Sequence, residues 1–337
     1  MEELLRSYFL RAGYYVTRGV PFSYKGFDVT DIDLWLYNRT SSVSREISLV
    51  DIKNKKTPQA IERIFWVRGL QIAMNATNAI VATTDRRQEV KDFGRNLGVL
   101  VLDGNFLRRL ASSDAPNSDR LSDEEFFAKV NEYPLRKLDG DWPGRILLSK
   151  SLLAKSLSFD SCNEWLDQGK FFVEQSITKT TQREVALRCL YLVCSFFSIA
   201  VDHCLKELSF YEQSERNVLI KNGFTYGSRG GEGLNNILNV AIRLVEEHAN
   251  NGAAISQQVR LNVENQLSLL KTSVLGDFFS KNDVARTLFN VAKEFEQLAM
   301  ARNFIPHGAA SVELRSVLFC LLDYWGIDRR FLSEIQI

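Results

Sequence analysis

Apolar positions recur in two rhythms along this chain, and the change from one to the other divides it. In residues 2–12, Leu4, Leu5, Tyr8 and Phe9 fall at helical spacing and Gly13 stops the run. YYVTRGVPF (14–22) and DVTDIDLWLY (28–37) read as strands, rich in aromatic and β-branched residues and joined by the turn-like SYKG. REISLVDIK (45–53) predicts a third strand after the polar turn NRTSSVS. Helical spacing returns at Ile61, Ile64, Phe65, Val67 and Leu70, followed by the strand NAIVATT, a helix within 85–98 and the strand VLVLDG. The order α, β, β, β, α, β, α, β predicts a mixed α/β domain over residues 1–110.

The small and polar ASSDAPNSDRLSD (111–123) reads as a linker, opening a connecting segment over 111–150 that holds a short helix at EEFFAKV and the turn-rich LDGDWPGR. From about 150 onward only helical periodicity remains, in EVALRCLYLVCSFFSIAVDHCLKEL, GLNNILNVAIRLVEEHANN, ISQQVRLNVENQLSLLKTSV, NDVARTLFNVAKEFEQLAMARN and SVELRSVLFCLLDYWG. Residues 151–337 are therefore expected to form an all-α bundle. No internal repeat or extended low-complexity tract interrupts either part.

Composition narrows the function classes. Of the 337 residues, 45% are hydrophobic and 25% charged, the balance of an ordinary globular protein and not of a disordered one. The longest apolar stretch, CLYLVCSFFSIAV, is about 13 residues against the roughly 20 that span a bilayer, so a buried helix and no membrane partner are expected. The N-terminus opens on two acids after Met1 and lacks the basic-then-apolar layout of a signal peptide, which favours the cytoplasm. The five cysteines, Cys162, Cys189, Cys194, Cys204 and Cys320, sit mostly in apolar helical runs without a CxxC pair, as reduced buried thiols do. No Cys/His cluster suggests zinc. A net charge of +1 means that any nucleic-acid contact must come from local basic patches.

One such patch follows an acid. In strands, alternate residues share a face, so Asp31, Asp33 and Trp35 point one way and Ile32, Leu34 and Leu36 the other, while Asp51 and Lys53 project together. If the two strands are neighbours, Asp33 and Asp51 converge on one Mg²⁺ (or Mn²⁺), with the carbonyl of Ile52 as a further oxygen ligand and Lys53 beside the ion. A hard cation that polarises a phosphate and activates water, with a fixed positive group beside it, is a minimal set for phosphodiester hydrolysis. Asp31 is the rival to Asp33 on the same face. Lys55 and Lys56 read as a phosphate-facing patch.

Residues 1–104 resemble the PD-(D/E)xK, restriction-endonuclease-like superfamily, through TDIDLW, LVDIKNKK and the order of the elements around them, with the layout closest to its Mrr-like branch. That resemblance implies metal ligation by Asp33 and Asp51 and a catalytic role for Lys53. It also implies that Glu3 on the first helix is the extra acid some members carry and that Gln71 matches a glutamine found on the following helix. The Mrr-like branch usually has Glu where this chain has Asp51.

A second constellation lies at ARNFIPHGAASVELRS. Pro306 is expected to end the preceding helix by about Ile305 and Gly308 to permit a tight turn before Ser311 and Glu313 open a new helix, so that Arg302 and His307 flank a junction where they can meet. Arginine stabilises a pentacovalent phosphate and histidine moves a proton near neutral pH, chemistry that cleaves RNA without metal. Arg302, Asn303 and His307 resemble the motif of the HEPN domain, a helical bundle; the resemblance implies a metal-independent ribonuclease or a dimerising module. The alternative for these residues is a buried Arg–His pair capping a helix. His203 and His248 read as structural. The glycine-rich TYGSRGGEG (225–233) lacks both nucleotide-cradle spacings and reads as a mobile loop from which Arg229 could touch nucleic acid.

Together these readings favour a metal-dependent endonuclease acting on DNA in microbial defence, dimerised by its helical domain, with a defence-system protein as a further partner. The alternatives are a HEPN-type ribonuclease toxin whose N-terminal domain recognises nucleic acid, and a non-catalytic binding or assembly protein.

Overall fold

The computed structural model describes residues 1–53, 59–113, 119–249 and 251–333. Helix α1 (Glu2–Arg11) leads into strands β1 (Tyr15–Tyr24), β2 (Phe27–Arg39) and β3 (Arg45–Lys53), then α2 (Ala60–Ala73), β4 (Asn78–Thr83), α3 (Gln88–Asn96), β5 (Val99–Leu102) and α4 (Gly104–Ser113). The five strands lie in one sheet in the order β1-β2-β3-β4-β5. The pairs β1–β2 and β2–β3 are antiparallel, and β3–β4 and β4–β5 are parallel. The α/β element order expected from the sequence is what forms, and REISLVDIK is β3 residue for residue.

The helical part comprises α5 (Asp123–Asn131), α6 (Trp142–Ser151), α7 (Phe159–Thr178), α8 (Arg183–Leu205), α9 (Gln213–Tyr226), α10 (Gly230–His248), α11 (Gly252–Leu269), α12 (Thr272–Phe279), α13 (Asn282–Met300), α14 (Val312–Trp325) and the short α15 (Arg330–Ser333). Two expectations about irregular segments change. The helix α4 runs into the stretch read as a linker, because Leu107 and Leu110 have the sheet to pack on. The glycine-rich 225–233 is the end of α9, a 3₁₀ turn over Gly227–Arg229 and the start of α10, so Arg229 is an exposed helix-terminal residue.

Each face of the sheet buries a different layer. Val16, Leu34, Leu36, Val50, Ile52, Ile80 and Ala82 pack with Leu5 and Phe9 of α1 and with Leu107 and Leu110 of α4. The opposite face, with Tyr15, Trp35, Tyr37 and Leu49, joins α2 and the helical bundle in one continuous core. The bundle's axis is α8, of whose 23 residues 18 are buried. The helix over Thr180–Leu205 has the length and composition to cross a membrane, and 89% of its most apolar window is buried inside this structure, the position of a core helix.

Polar groups fix how sheet and bundle meet. Asp202, fully buried near the end of α8, accepts from Tyr37 Oη at 2.7 Å, from Arg39 at 2.9 Å and from two nitrogens of Arg45 at 2.5 and 3.1 Å. One helical turn or more toward the N-terminus, Ser195 Oγ and Tyr15 Oη lie 2.7 Å apart. Near the sheet's other end, buried Arg6 of α1 donates to Asp123 at 2.6 Å, Lys150 of α6 pairs with the same carboxylate, and Arg120 pairs with Glu296 of α13. Residues 119–150 are thereby built into the wall between sheet and bundle.

A buried carboxylate removed from two arginines leaves their charges without a counterion, at a cost of about 3–5 kcal/mol. Asp202→Ala is expected to lower the urea-unfolding free energy by that order, whereas Leu138→Ala, at a side chain 88% exposed, is expected to leave it within about 0.5 kcal/mol.

Candidate functional site

The sheet forks at the residues singled out by the DID and DIK strings. The last β2–β3 pair is Leu34 opposite Val50, but β2 continues with β1 out to Phe27 opposite Tyr24, and β3 continues with β4 out to Lys53 opposite Thr83. Asp33 and Asp51 are the next residues on either side of the last rung, so the antiparallel register sets them across the fork from each other. Gly19, at φ +57°, lies across β1 from Asp33, between the pairs Arg18–Leu34 and Val20–Ile32, and only glycine accepts that backbone readily. The kink also separates Ile32, which joins the core with Val20 on the bundle side, from Leu34 and Leu36 on the α1 side, so the single face expected for these three residues is broken at Asp33.

Asp33 fills the gap left by the parting strands. Its Oδ2 accepts the backbone N–H of Ile52 at 2.5 Å, in place of the β2 carbonyl that would otherwise have done so. Because the N–H and C=O of one strand residue point to the same side, the Ile52 carbonyl is turned into the fork as well. Burial raises Asp33 to about 6; the Ile52 amide opposes this, the nearby Asp51 charge adds to it, Lys53 lowers it and Glu2 raises it. Asp33, Asp51, Lys53 and Glu2 therefore act on one another at one end of the sheet, the carboxyl end of β3, where open α/β sheets place ligands.

The residue that completes this site is one that sequence reasoning missed. Arg63, in the first turns of α2, donates from Nε to Asp51 Oδ2 at 2.9 Å, and a second guanidinium nitrogen pairs with Oδ1. The hydrogen bond to the Asp51 carboxylate raises Arg63 above its ordinary value. Its one signal in the sequence is a lone arginine between Ile61 and Phe65 at the start of the helix after the DIK strand.

The other expected residues sort clearly. Asp31 is exposed on the arm beyond the fork, opposite Pro21. Glu3 is held by Arg18 at 2.6 Å and by Arg6 at 3.0 Å, and it is its neighbour Glu2 whose charge reaches Asp33. Gln71 sits toward the far end of α2, donating to the Thr77 carbonyl at 2.9 Å and accepting from Arg68 at 2.6 Å; it secures the turn into β4, at the opposite end of that strand from the fork. Lys55 and Lys56 lie outside the described residues. Arg229 belongs to the α9–α10 junction in the bundle.

The second constellation does not assemble as expected. Helix α13 stops at Met300, not near Ile305, and Ala301 forms a bridge with Arg120 instead. Arg302 points to Glu125, at 2.9 Å, and Asn303 is exposed. His307 is 3% exposed; its Nδ1 lies 3.0 Å from Tyr191 Oη, and its backbone N–H donates to the same oxygen at 3.1 Å. Burial, and then the charge of Arg315, lowers His307 below its ordinary value. No hydrogen bond joins Arg302 to His307 among the described residues. Ser311 does cap α14, accepting from the Leu314 amide.

Among the described residues no group of three or more His, Cys, Asp and Glu side chains is arranged to hold a metal ion. The fork instead offers two carboxylates and an inward-facing carbonyl, an all-oxygen set that suits Mg²⁺ or Mn²⁺ with water completing the shell. Asp33 is a buried carboxylate beside the charge of Asp51, and Asp51 is already paired with one cationic group, Arg63, so the oxygen set fits a hard divalent cation that takes the place of Arg63. No protein-family model, curated protein or solved structure matches the chain.

A cation bound at the fork would stabilise the folded chain, by about 2.7 kcal/mol at a hundred times its dissociation constant. Thermal unfolding with and without Mg²⁺ is expected to show this gain at pH 7.5 and its progressive decline below about pH 6, because protons then compete with the cation for Asp33 before they reach ordinary carboxylates. Asp33→Asn is expected to abolish the gain, and Arg63→Ala to increase it.

Proposed function

We propose that the chain is a metal-dependent nuclease that hydrolyses phosphodiester bonds at the fork between β2 and β3. The observation that carries this reading is the placement of Asp33 and Asp51 across a split in the sheet, with Lys53 on the same strand as Asp51 and the Ile52 backbone turned toward Asp33. The resemblance of these strings and of the element order to the PD-(D/E)xK superfamily supports it. DNA is the favoured substrate on the same ground, with action in the cytoplasm, as a dimer formed through the helical part, in defence against foreign nucleic acid.

The chemistry divides among few groups. A bound Mg²⁺ would polarise the phosphate and lower the pKa of an attacking water. Asp33 and Asp51 would hold it, and the two strands fix their separation through the ladder rather than through flexible loops. Lys53, on the face of Asp51 by strand alternation, orients water and offsets the charge that develops on the phosphate. With a cation at Asp33 and Asp51, Arg63 would be released from Asp51, and its guanidinium would be free to pair with two phosphate oxygens. Arg18, paired with Glu2 at 2.7 Å and with Glu3 at 2.6 Å, offsets the negative charge that these two acids bring to the edge of the site.

The ribonuclease reading draws no support from the geometry, since Arg302 and His307 face different neighbours. The test is cleavage of labelled single-stranded DNA, duplex DNA and RNA with Mg²⁺ or EDTA. The expected result is Mg²⁺-dependent cutting of DNA, abolished by EDTA, lowered about a hundredfold or more by Asp51→Ala and by Lys53→Ala, and retained by His307→Gln. Cutting of RNA alone, indifferent to EDTA and lost in His307→Gln, would refute it.

A further inference from the structure

A cavity of about 870 Å³ lies between the sheet and the bundle, a size that takes a small organic molecule. None of Asp33, Asp51, Lys53 and Arg63 lines it. One wall belongs to the sheet side, with Phe22 of β1, Ile47 of β3 and Met74 at the turn from α2 into β4. The other belongs to the bundle: residues 155–159, which connect α6 to α7, and the end of α8 with the residues that follow it.

The lining divides by chemistry. Phe22, Ile47, Met74, Leu157, Phe159 and Leu208 make part of it apolar. Against them stand two ammonium groups, Lys155 and Lys206, neither of which is in an ion pair or a side-chain hydrogen bond among the described residues. The Cys204 thiol donates to the Leu157 carbonyl at 3.9 Å, which lays the end of α8 beside the 155–159 segment, and each lysine stands two residues from that contact. The third cation of the lining, Arg45, is committed to Asp202 and to the carbonyls of Ser41, Ser42 and Ser44. The acid that lines the cavity is Glu207, which is exposed, so the two lysines leave an excess of positive charge.

His203, in the same wall, shows where that charge falls. It is lowered to about 4, first by burial and then by the charges of Lys206 and Arg45, and no acid acts against them. Its ring is therefore neutral at pH 7 and stands in a positive field. The buried Nδ1 has no hydrogen-bond partner among the described residues, and such atoms in folded proteins are normally met by a group from outside the chain when the chain supplies none. A phosphate monoester carries about −1.5 to −2 charges at pH 7 and three acceptor oxygens, which suits two ammonium groups better than a carboxylate of single charge does. Inorganic phosphate would leave the apolar walls uncovered, and an uncharged apolar molecule would leave both lysines unpartnered.

We propose that this cavity binds a small organophosphate, with its phosphate between Lys155 and Lys206 and a compact apolar body against Leu157, Phe159 and the sheet-side wall. Because the sheet and the bundle each supply one wall, such a ligand ties the two parts together. The proposal goes beyond the nuclease reading and does not depend on it.

Isothermal titration calorimetry on the full chain tests it, with naphthyl phosphate as the probe beside naphthol, naphthoate and inorganic phosphate. EDTA in the buffer keeps divalent cations from Asp33 and Asp51, so that no phosphate is held at the fork through a metal. Naphthyl phosphate is expected to bind at least about tenfold more tightly than each of the other three, since it alone meets both halves of the lining. Lys155→Gln and Lys206→Gln are each expected to weaken it about fivefold or more, and Lys137→Gln, at an exposed lysine outside the lining, less than about twofold. Absence of naphthyl phosphate binding, or binding that neither cavity variant weakens or that Lys137→Gln weakens as much, overturns the site. Naphthol or naphthoate binding as tightly as naphthyl phosphate overturns the assignment of a phosphate ligand. Each of these outcomes leaves the nuclease reading standing.

Discussion

The structure depends on one buried carboxylate. Asp202 has no access to water, and its charge is compensated by Arg39 and Arg45, which sit at the facing ends of β2 and β3, with Tyr37 as a third donor. A charge in such a place is tolerated only when every partner is in position. The β2–β3 pair is thus pinned at its turn end to the end of α8, and the far end, where the strands part, is left as the free one. The apolar face of the sheet, with Tyr15, Trp35, Tyr37 and Leu49, then shares one core with α8 and α2.

That arrangement explains why the fork is polar. A sheet that continued antiparallel past Leu34 and Val50 would satisfy its own backbone; one that splits leaves the Ile52 amide without a strand, and Asp33 takes it. The same carboxylate is then too buried for its charge, and the neighbouring Asp51 is held by Arg63. Polar satisfaction and latent chemistry are the same contacts. Under the proposed metal site, exchange of Arg63 for a cation would replace one positive charge with another at a carboxylate that already faces one.

Much of this was legible in the sequence. The alternation of IDLWLY and EISLV predicts the strands and places Asp33 within β2 and Asp51 near the end of β3, and the apolar helical runs predict the bundle. What periodicity could not supply is contact across long separations. Arg63 reads as an ordinary helix-surface residue until β3 is laid beside α2. Arg302 and His307 are close in sequence, but Tyr191, more than a hundred residues earlier, provides the buried hydroxyl that draws His307 inward, while Glu125 draws Arg302 outward. Helix α4 was hidden because small residues at its end look like a linker until the sheet face that Leu107 and Leu110 cover is known.

The continuous core has a consequence for how such a chain changes over generations. An α/β portion that owned its hydrophobic interior could be exchanged between proteins as a cassette, with only a connecting loop to rebuild. Here the aromatic face of the sheet is completed by α8, and the stretch around Arg120 and Asp123 is ion-paired to both sides. A recombination point between the two parts would strip Tyr15, Trp35 and Tyr37 of cover and strand Arg45 without its carboxylate. The sheet and the bundle must therefore be inherited together, and their sequences must drift in step.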